Sequence, residues 1–322
     1  MRLVQFELAT EGRRVGVVQE ELVLDLTAPH AHLQRTFDLF EAAEDAGMGF
    51  EEFIGQLLMS ADAPSVPYSE LLAGTAGSDD AWLHPPLDHD DPYRLLVSGT
   101  GLTHTGGMKS RDEMHTADEG DAPQTDSAKI FAMGLEGGKP PEGRRGAMPE
   151  WFYKGNGLTL RGPGGPLELP AFALDGGEEP ELVGCYIIDA SGVPCRLGFS
   201  LGIEWSDHET EQINYLYLAP SKLRTCAVGP ELITDCEFGE VHLRCTVHRD
   251  GKEIYDSGPL LSGEDYMCHS LGNCEDHHFK YPQHRSPGDV HLHFFGTSKL
   301  SHSTRDWKFA AGDEVTVSSE DF

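Results

Sequence analysis

The chain has 322 residues, and 39% of them are hydrophobic, which is enough for a sizeable core. Its 54 acidic residues outnumber its 24 basic residues and give a formal net charge of −30. Such a charge repels phosphate groups, so we expect no binding to nucleic acid or to anionic membrane surfaces. The acidity itself fits solubility or salt tolerance and indicates no particular function.

The sequence also indicates a compartment. Its first residues alternate between apolar and polar side chains, unlike a signal peptide, and no stretch reaches the roughly 18 apolar residues of a membrane span. Seven cysteines, an odd number, do not suggest a disulfide framework. We therefore expect a reduced, cytoplasmic setting.

The first part of the chain predicts a small α/β module. Three short segments are typical of strands, namely RLVQFEL (2–8), RRVGVVQ (13–19) and ELVLDLT (21–27). Residues 32–72 carry the apolar spacing of helices. The following stretch is rich in Gly, Pro and Asp and indicates a connection. We predict an N-terminal module with its linker over residues 1–90 and a main domain over residues 91–322.

The main domain shows short apolar runs divided by glycine and proline. The clearest strand candidates are RLLVSGTGL (94–102), ELVGCYIID (181–189), CRLGFSLGIEW (195–205), EVHLRCTVHRD (240–250) and DVHLHFFGT (289–297). Long loops separate them, and strong helical patterns are scarce. The sequence therefore predicts an α+β fold that is mostly β.

Acidic residues border one of these predicted strands. Glu179 and Glu181 are two residues apart, so on a strand they point to the same side, where a divalent cation would relieve their repulsion. The alternative is a solvated turn. Asp207 follows the next strand and is a candidate third ligand, but its sequence context equally fits a helix N-cap. Spacing alone leaves both choices open.

Other candidate residues carry weaker signals. Lys154 follows aromatic residues in WFYKGNG, where a lysine either acts as a base with a lowered pKa or extends its ammonium to water. The cysteines and histidines of CHSLGNCEDHH (268–278) fit no common zinc spacing. His291 and His293 share one face of a predicted strand and are more typical of half-buried strand residues.

Five segments in order resemble the fumarylacetoacetate hydrolase family, from about residue 95 to the end of the chain. They are WFYKGNGLTLRGPGGPLELP (151–170), EEPELVGCYI (178–187), GIEWSDHETEQ (202–212), SKLRTCAVGPELI (221–233) and PGDVHLHFFGTS (287–298). The resemblance implies that family's mixed β-roll catalytic domain. It also implies that Glu179, Glu181 and Asp207 bind a divalent metal, with Mg²⁺ first and Mn²⁺ or Ca²⁺ as alternatives.

The same resemblance implies further site residues. Lys154 and Lys222 would face the substrate, and Thr297 would help hold its carboxylate. For the reaction itself we expect Lys154 to be the base and His104 or Glu113 the acid. His104 stands near the family's catalytic histidine, and Glu113 near its partner acid, at a longer spacing. A homodimer or higher homo-oligomer is implied as well.

One departure from the family bears on the substrate. Where the hydrolases carry Ala-Arg-Asp after the metal-binding aspartate, this chain has Thr210, Glu211 and Gln212. An anion in place of the substrate-binding arginine favours the branch of 2-keto-3-deoxy sugar acid dehydratases, with Glu211 in the substrate site. We therefore predict a metal-dependent dehydratase of a small 2-keto acid such as a 2-keto-3-deoxypentonate. The alternatives are an acylpyruvate-type hydrolase, an oxaloacetate-type decarboxylase and a non-catalytic sugar-acid sensor.

Overall fold

The structure, a computed structural model, describes residues 1–60, 62–107 and 125–322. Its helices are α1 Thr36–Ala46, α2 Phe50–Ser60, α3 Tyr68–Ala73, α4 Asp126–Gly137, α5 His208–Ile213, α6 Leu218–Lys222 and α7 Leu271–Phe279. Its strands are β1 Arg2–Leu8, β2 Gly12–Gln19, β3 Leu22–Asp25, β4 Ser65–Pro67, β5 Trp82–Leu83, β6 Leu95–Gly101, β7 Glu150–Asn156, β8 Leu160–Arg161, β9 Gly177–Ile188, β10 Pro194–Ser206, β11 Cys226–Val228, β12 Leu232–Ile233, β13 Val241–Arg249, β14 Lys252–Asp256, β15 Leu260–Ser262, β16 Val290–Phe294 and β17 Glu314–Ser319.

The predicted elements are confirmed in both parts of the chain. The helical spacing over residues 32–72 corresponds to α1, α2 and α3. In α1, Leu39, Phe40 and Ala43 are buried on one face, and the Asp38 carboxylate accepts the backbone N–H of Arg35 at 2.9 Å. The helix ends at Gly47, which adopts the left-handed conformation with φ 65°.

The described strands form a 13-stranded mixed sheet and a separate 4-stranded sheet. The main path of the large sheet runs in the order β4-β3-β2-β1-β12-β10-β9-β16-β6-β7. Within it, β16 is parallel to β6 and antiparallel to β9. The α+β, mostly β fold class is thereby confirmed.

The N-terminal strands belong to the large sheet. β1 pairs with β12, which in turn pairs with β10, and one apolar core contains Leu3 and Val15 together with Val183 and Phe294. The division of the chain at residue 90 stays a prediction. No helix within residues 1–60, 62–107 and 125–322 has the length and apolarity needed to cross a membrane.

The β9–β10 hairpin determines where the acidic residues lie. Asp189 closes its turn by accepting the backbone N–H groups of Ser191 and Val193 at 2.8 and 2.7 Å. The pairing starts with Ile188 opposite Pro194 and shifts by one residue at a β-bulge between Arg196 and Gly198. Beyond the bulge the register continues unbroken to the open end of the hairpin.

Candidate active site

Three glutamates converge at the open end of the β9–β10 hairpin. Glu179 and Glu181 alternate onto one face of β9, and the register places Glu204 of β10 directly opposite Glu179. Each offers one oxygen within 4.8 Å of those of the other two. Their exposed fractions are 5%, 1% and 0%, respectively, so the group is almost fully buried.

Ammonium and amide donors hold these carboxylates in place. The Lys222 Nζ atom lies 2.5 Å from Glu179 Oε1 and 3.1 Å from Glu204 Oε2. The Gly296 N–H donates to Glu181 Oε2 at 2.6 Å. The Lys154 Nζ atom lies 3.6 Å from Glu204 Oε1. Two ammonium groups thus face three carboxylates, and a negative excess remains when all three are ionised.

Burial and this negative excess together shift the pKa values of the three carboxyl groups. Burial raises the pKa of Glu181 well above its ordinary value, and the neighbouring Glu204 and Glu179 carboxylates raise it further. Burial also raises the pKa of Glu204. Burial opposes ionisation of Glu179 too, but the Lys222 ammonium and the His208 side chain hold its pKa well below the ordinary value.

The donor set fits a hard divalent cation. All three side chains offer carboxylate oxygens, the ligand type that Mg²⁺, Mn²⁺ and Ca²⁺ prefer. Among the described residues, none donates a hydrogen bond to Glu179 Oε2 or Glu181 Oε1, so each of these carboxylates keeps one oxygen for a cation. A cation there would also relieve the repulsion that raises the pKa of Glu181.

The structure gives Asp207 different contacts from those predicted. It is the N-cap of α5, and its Oδ1 accepts the Thr210 N–H at 3.0 Å. Its Oδ2 accepts the Leu174 N–H at 3.0 Å and faces Arg224 Nη2 at 3.1 Å. The spacing allowed Asp207 to be either a metal ligand or a helix N-cap, and the observed contacts are those of an N-cap. Glu204 stands in the carboxylate group where Asp207 was expected.

A pocket opens beside the three glutamates. The described residues that line it include no lysine or arginine and are Gly101, Leu102, Gly107, Glu179, His208, Glu211, Gly296, Thr297 and Leu300. Thr297 and Glu211, both predicted from the sequence, are therefore brought to the pocket. His208 was not predicted, and it lies on α5 one turn before Glu211.

No model of a known protein family matches the chain. It is 22% identical over 324 residues to a probable 2-keto-3-deoxyxylonate dehydratase of Haloferax volcanii, covering 98% of this chain and 94% of that protein. The solved structure of a 2-keto-3-deoxy-D-arabinonate dehydratase complexed with magnesium and 2,5-dioxopentanoate matches it with a TM-score of 0.69. That match has 16% identity and covers 100% of this chain and 95% of the other.

A 5-carboxymethyl-2-hydroxymuconate delta-isomerase from Mycobacterium smegmatis matches with a TM-score of 0.55 and 15% identity, over 99% of this chain and 95% of that one. The chain has the fold of the fumarylacetoacetate hydrolase family. The resemblance inferred from five sequence segments is confirmed at the level of the fold.

Within this fumarylacetoacetate hydrolase fold, the two predicted lysines lie behind the carboxylates. Lys154 is fully buried and donates to the backbone carbonyls of Trp205 and Lys222, the latter at 2.9 Å. Burial lowers its pKa. The Lys222 ammonium lies 5.0 Å from the centroid of the Phe152 ring. Neither lysine is among the described residues that line the pocket, and the role of Lys154 as a base stays a prediction.

The predicted acid–base pair is only partly described. His104 is buried next to the pocket segment, with Nδ1 2.8 Å from Thr103 Oγ1, and burial lowers its pKa to about 4. Its ring is therefore neutral at pH 7. The neighbouring Leu102 and Gly107 line the pocket, whereas His104 does not. Glu113 lies outside the described residues. The roles of both stay predictions.

Proposed function

We propose that the chain is a magnesium-dependent dehydratase of a 2-keto-3-deoxy sugar acid. The observation that carries the proposal is the buried glutamate group Glu179, Glu181 and Glu204, whose member Glu179 lines a pocket together with Glu211. A 2-keto acid presents a carboxylate and a keto oxygen, which together chelate a hard cation. The names of the relatives, two sugar-acid dehydratases, support the same substrate class.

The pocket wall supports a neutral, hydroxylated tail on the substrate. A carboxylate such as Glu211 accepts hydrogen bonds from hydroxyl groups and repels a second substrate carboxylate. A sugar acid satisfies both conditions better than a dicarboxylic diketo acid does.

The reaction removes one molecule of water between C3 and C4 of the substrate. A bound divalent cation would polarise the keto group as a Lewis acid and make the C3 proton more acidic. Glu179, Glu181 and Glu204 would hold the cation, while the Lys222 ammonium keeps two of them oriented. The C3 proton passes to a base, and the C4 hydroxyl leaves as water after taking up a proton. A pentonate would then tautomerise to a 2,5-dioxo acid.

A paired assay tests the proposal. The full chain is incubated with Mg²⁺ and either 2-keto-3-deoxyarabinonate, 2-keto-3-deoxyxylonate or an acylpyruvate, and the products are identified by mass spectrometry. We expect loss of water from at least one sugar acid, and we expect EDTA to abolish it. Release of pyruvate from the acylpyruvate alone would contradict the proposal and favour the hydrolase. Sugar-acid binding without turnover would favour the sensor.

We also propose that the chain forms a homodimer or higher homo-oligomer in the cytoplasm. The resemblance of the sequence to the fumarylacetoacetate hydrolase family implies this assembly, and light scattering coupled to size-exclusion chromatography measures the mass directly. A mass equal to that of one chain at micromolar concentration would contradict it.

A further inference from the structure

A histidine that the sequence did not single out contacts a metal-site carboxylate. His208 Nε2 lies 3.1 Å from Glu179 Oε1, the same oxygen that Lys222 Nζ approaches at 2.5 Å. An ionised carboxylate has no proton to donate and can only accept hydrogen bonds. The ring nitrogen of His208 that faces it therefore carries the proton. Both donors thus hold one oxygen of Glu179, and no described residue donates to the other.

The backbone of the hairpin fixes the ring of His208. The ring is 2% exposed, and a Cβ atom added at Gly177 would lie only 2.2 Å from His208 Nδ1. Gly177 is the first residue of β9 and pairs with Ser206, two positions before His208. The ring therefore occupies the space that a side chain at position 177 would take. On another side it contacts the ring of His302, with centroids 5.0 Å apart.

We propose that His208 is the positioning residue of Glu179, holding Oε1 by its Nε2–H so that Oε2 faces the cation site, with Gly177 providing the space for its ring. The inference rests on the metal site of the proposed function. Residues that hydrogen-bond a metal ligand typically contribute about 10–100-fold to metal affinity or activity. His208 acts through Glu179, and Lys222 alone cannot replace it because that ammonium is shared with Glu204.

A packing role makes a different prediction from a positioning role. If His208 only fills space, leucine and glutamine at position 208 affect Mg²⁺ affinity equally, and any effect follows the loss of stability. If His208 positions Glu179, the glutamine variant keeps a donor at position 208 near Oε1, whereas the leucine variant leaves Lys222 as the one described donor to that oxygen. Gly177→Ala, which displaces the ring without changing any charge, should then resemble the leucine variant.

The experiment measures the Kd for Mg²⁺ of the full chain by isothermal titration calorimetry, with Tm recorded for each variant. We expect His208→Leu and Gly177→Ala to bind Mg²⁺ about 10–100-fold more weakly and His208→Gln to stay within about threefold of wild type. His284→Gln serves as a control for losing a buried histidine, because His284 contacts the His278 carbonyl instead of the site. The His284→Gln variant should change Tm and leave the Kd for Mg²⁺ unchanged.

Two results separate this inference from the proposed function. Wild-type protein that binds Mg²⁺ with the same Kd as His208→Leu would overturn the positioning role and leave the dehydratase proposal intact. Equal weakening in the glutamine and leucine variants would likewise make His208 a packing residue. Wild-type protein that binds no divalent cation would overturn both proposals. Because Gly177→Ala retains His208, it decides the question if the leucine variant fails to fold.

Discussion

At the residue scale, Glu204 and Asp207 differ in the partners that their carboxylates find. The two lie three positions apart, yet Glu204 faces Glu179 across the hairpin while Asp207 caps α5 and pairs with Arg224. A carboxylate with both oxygens already hydrogen-bonded loses those bonds if it turns toward a cation. The Glu204 carboxylate instead contacts side chains, namely Lys222 Nζ at 3.1 Å, Ser206 Oγ at 3.3 Å and Lys154 Nζ at 3.6 Å, and accepts no backbone N–H among the described residues.

Isosteric amides at these two positions test the assignment. We expect Glu204→Gln to weaken Mg²⁺ binding by at least about 10-fold, because it removes one of three anionic ligands. Asp207→Asn should keep the Mg²⁺ affinity but lower the unfolding free energy by roughly 3–5 kcal/mol, since it leaves the buried Arg224 without its charge partner. Calorimetric titration of both variants measures the Mg²⁺ affinity, and urea unfolding measures the unfolding free energy. The reverse pattern would restore Asp207 as the ligand.

At the element scale, the β9–β10 hairpin explains what the sequence could predict and what it could not. Apolar runs locate the strands, and the period of two places Glu179 and Glu181 together. The position of Glu204 depends on the bulge. If the pairing of Ile188 with Pro194 continued unbroken, Glu204 would lie opposite Glu178 and on the other face of the hairpin.

A bulge leaves little trace in one sequence. Its one visible signal is Gly198, which has φ 154° and whose added Cβ would lie 2.1 Å from the Ile233 carbonyl oxygen. Glu178, which precedes Glu179 in the chain, accepts the N–H and the hydroxyl of Ser301 at 2.7 Å each. The contact of His208 also escaped prediction, because it depends on how α5 leaves β10.

Replacing Gly198 tests the importance of this bulge. Gly198→Ala should lower the unfolding free energy by roughly 1–3 kcal/mol or more, because it combines a strained φ with a backbone clash. We also expect weaker Mg²⁺ binding, since the register of Glu204 depends on this residue. Gly55→Ala in α2, where an added Cβ meets nothing within 4 Å, should instead stabilise the chain slightly. Equal effects of the two variants would contradict this account.

Helix α7 and strand β16 contain buried histidines, and these make stability depend on pH. His278 and His291 share a 2.9 Å hydrogen bond, and His293 contacts Ser98 and Thr100. Burial, with smaller effects from neighbouring imidazoles, lowers the pKa of His291 and of His293 to about 3 and that of His278 well below its ordinary value.

The direction of the pH effect follows from proton binding. Unfolded histidines titrate near pH 6.5, so below about pH 6.5 these three side chains bind more protons in the unfolded chain than in the folded one. The contribution of these histidines to stability should be complete above pH 6.5 and fall below it, by up to about 1.4 kcal/mol per pH unit for each of them. Urea unfolding at pH 7.5, 6.5 and 5.5 measures the slope. His291→Gln should reduce the slope of unfolding free energy against pH, and His242→Gln, at an exposed position, should not. Equal slopes in the two variants would show that the buried histidines do not cause the pH dependence.

At the scale of the whole molecule, like charges dominate. With 54 acidic and 24 basic residues, the acidic groups outnumber the basic groups by 30, and self-repulsion opposes the compact state. Raising the ionic strength from 0.1 to 1 M shortens the screening length from about 10 to about 3 Å. We therefore expect Tm to rise with KCl, with the steepest increase at low salt.

Thermal unfolding in a KCl series measures this effect, and sucrose at matched osmolality is the control because it stabilises without screening charge. A Tm at 1 M KCl equal to or below that at 0.1 M would show that attractive ion pairs outweigh the repulsion.

The pairing of β1 with β12 also governs the order in which the chain can complete its sheet during synthesis. Leu3 pairs with Leu232, so the two partners leave the ribosome about 230 residues apart. At about 5–20 residues per second, the first strand waits on the order of 10–50 s for that neighbour. β5 covers the edge of β1 at Phe6 and Glu7 much earlier. The nascent N-terminal strands therefore keep one short, unpaired edge until β12, the neighbour of β10, has been synthesised.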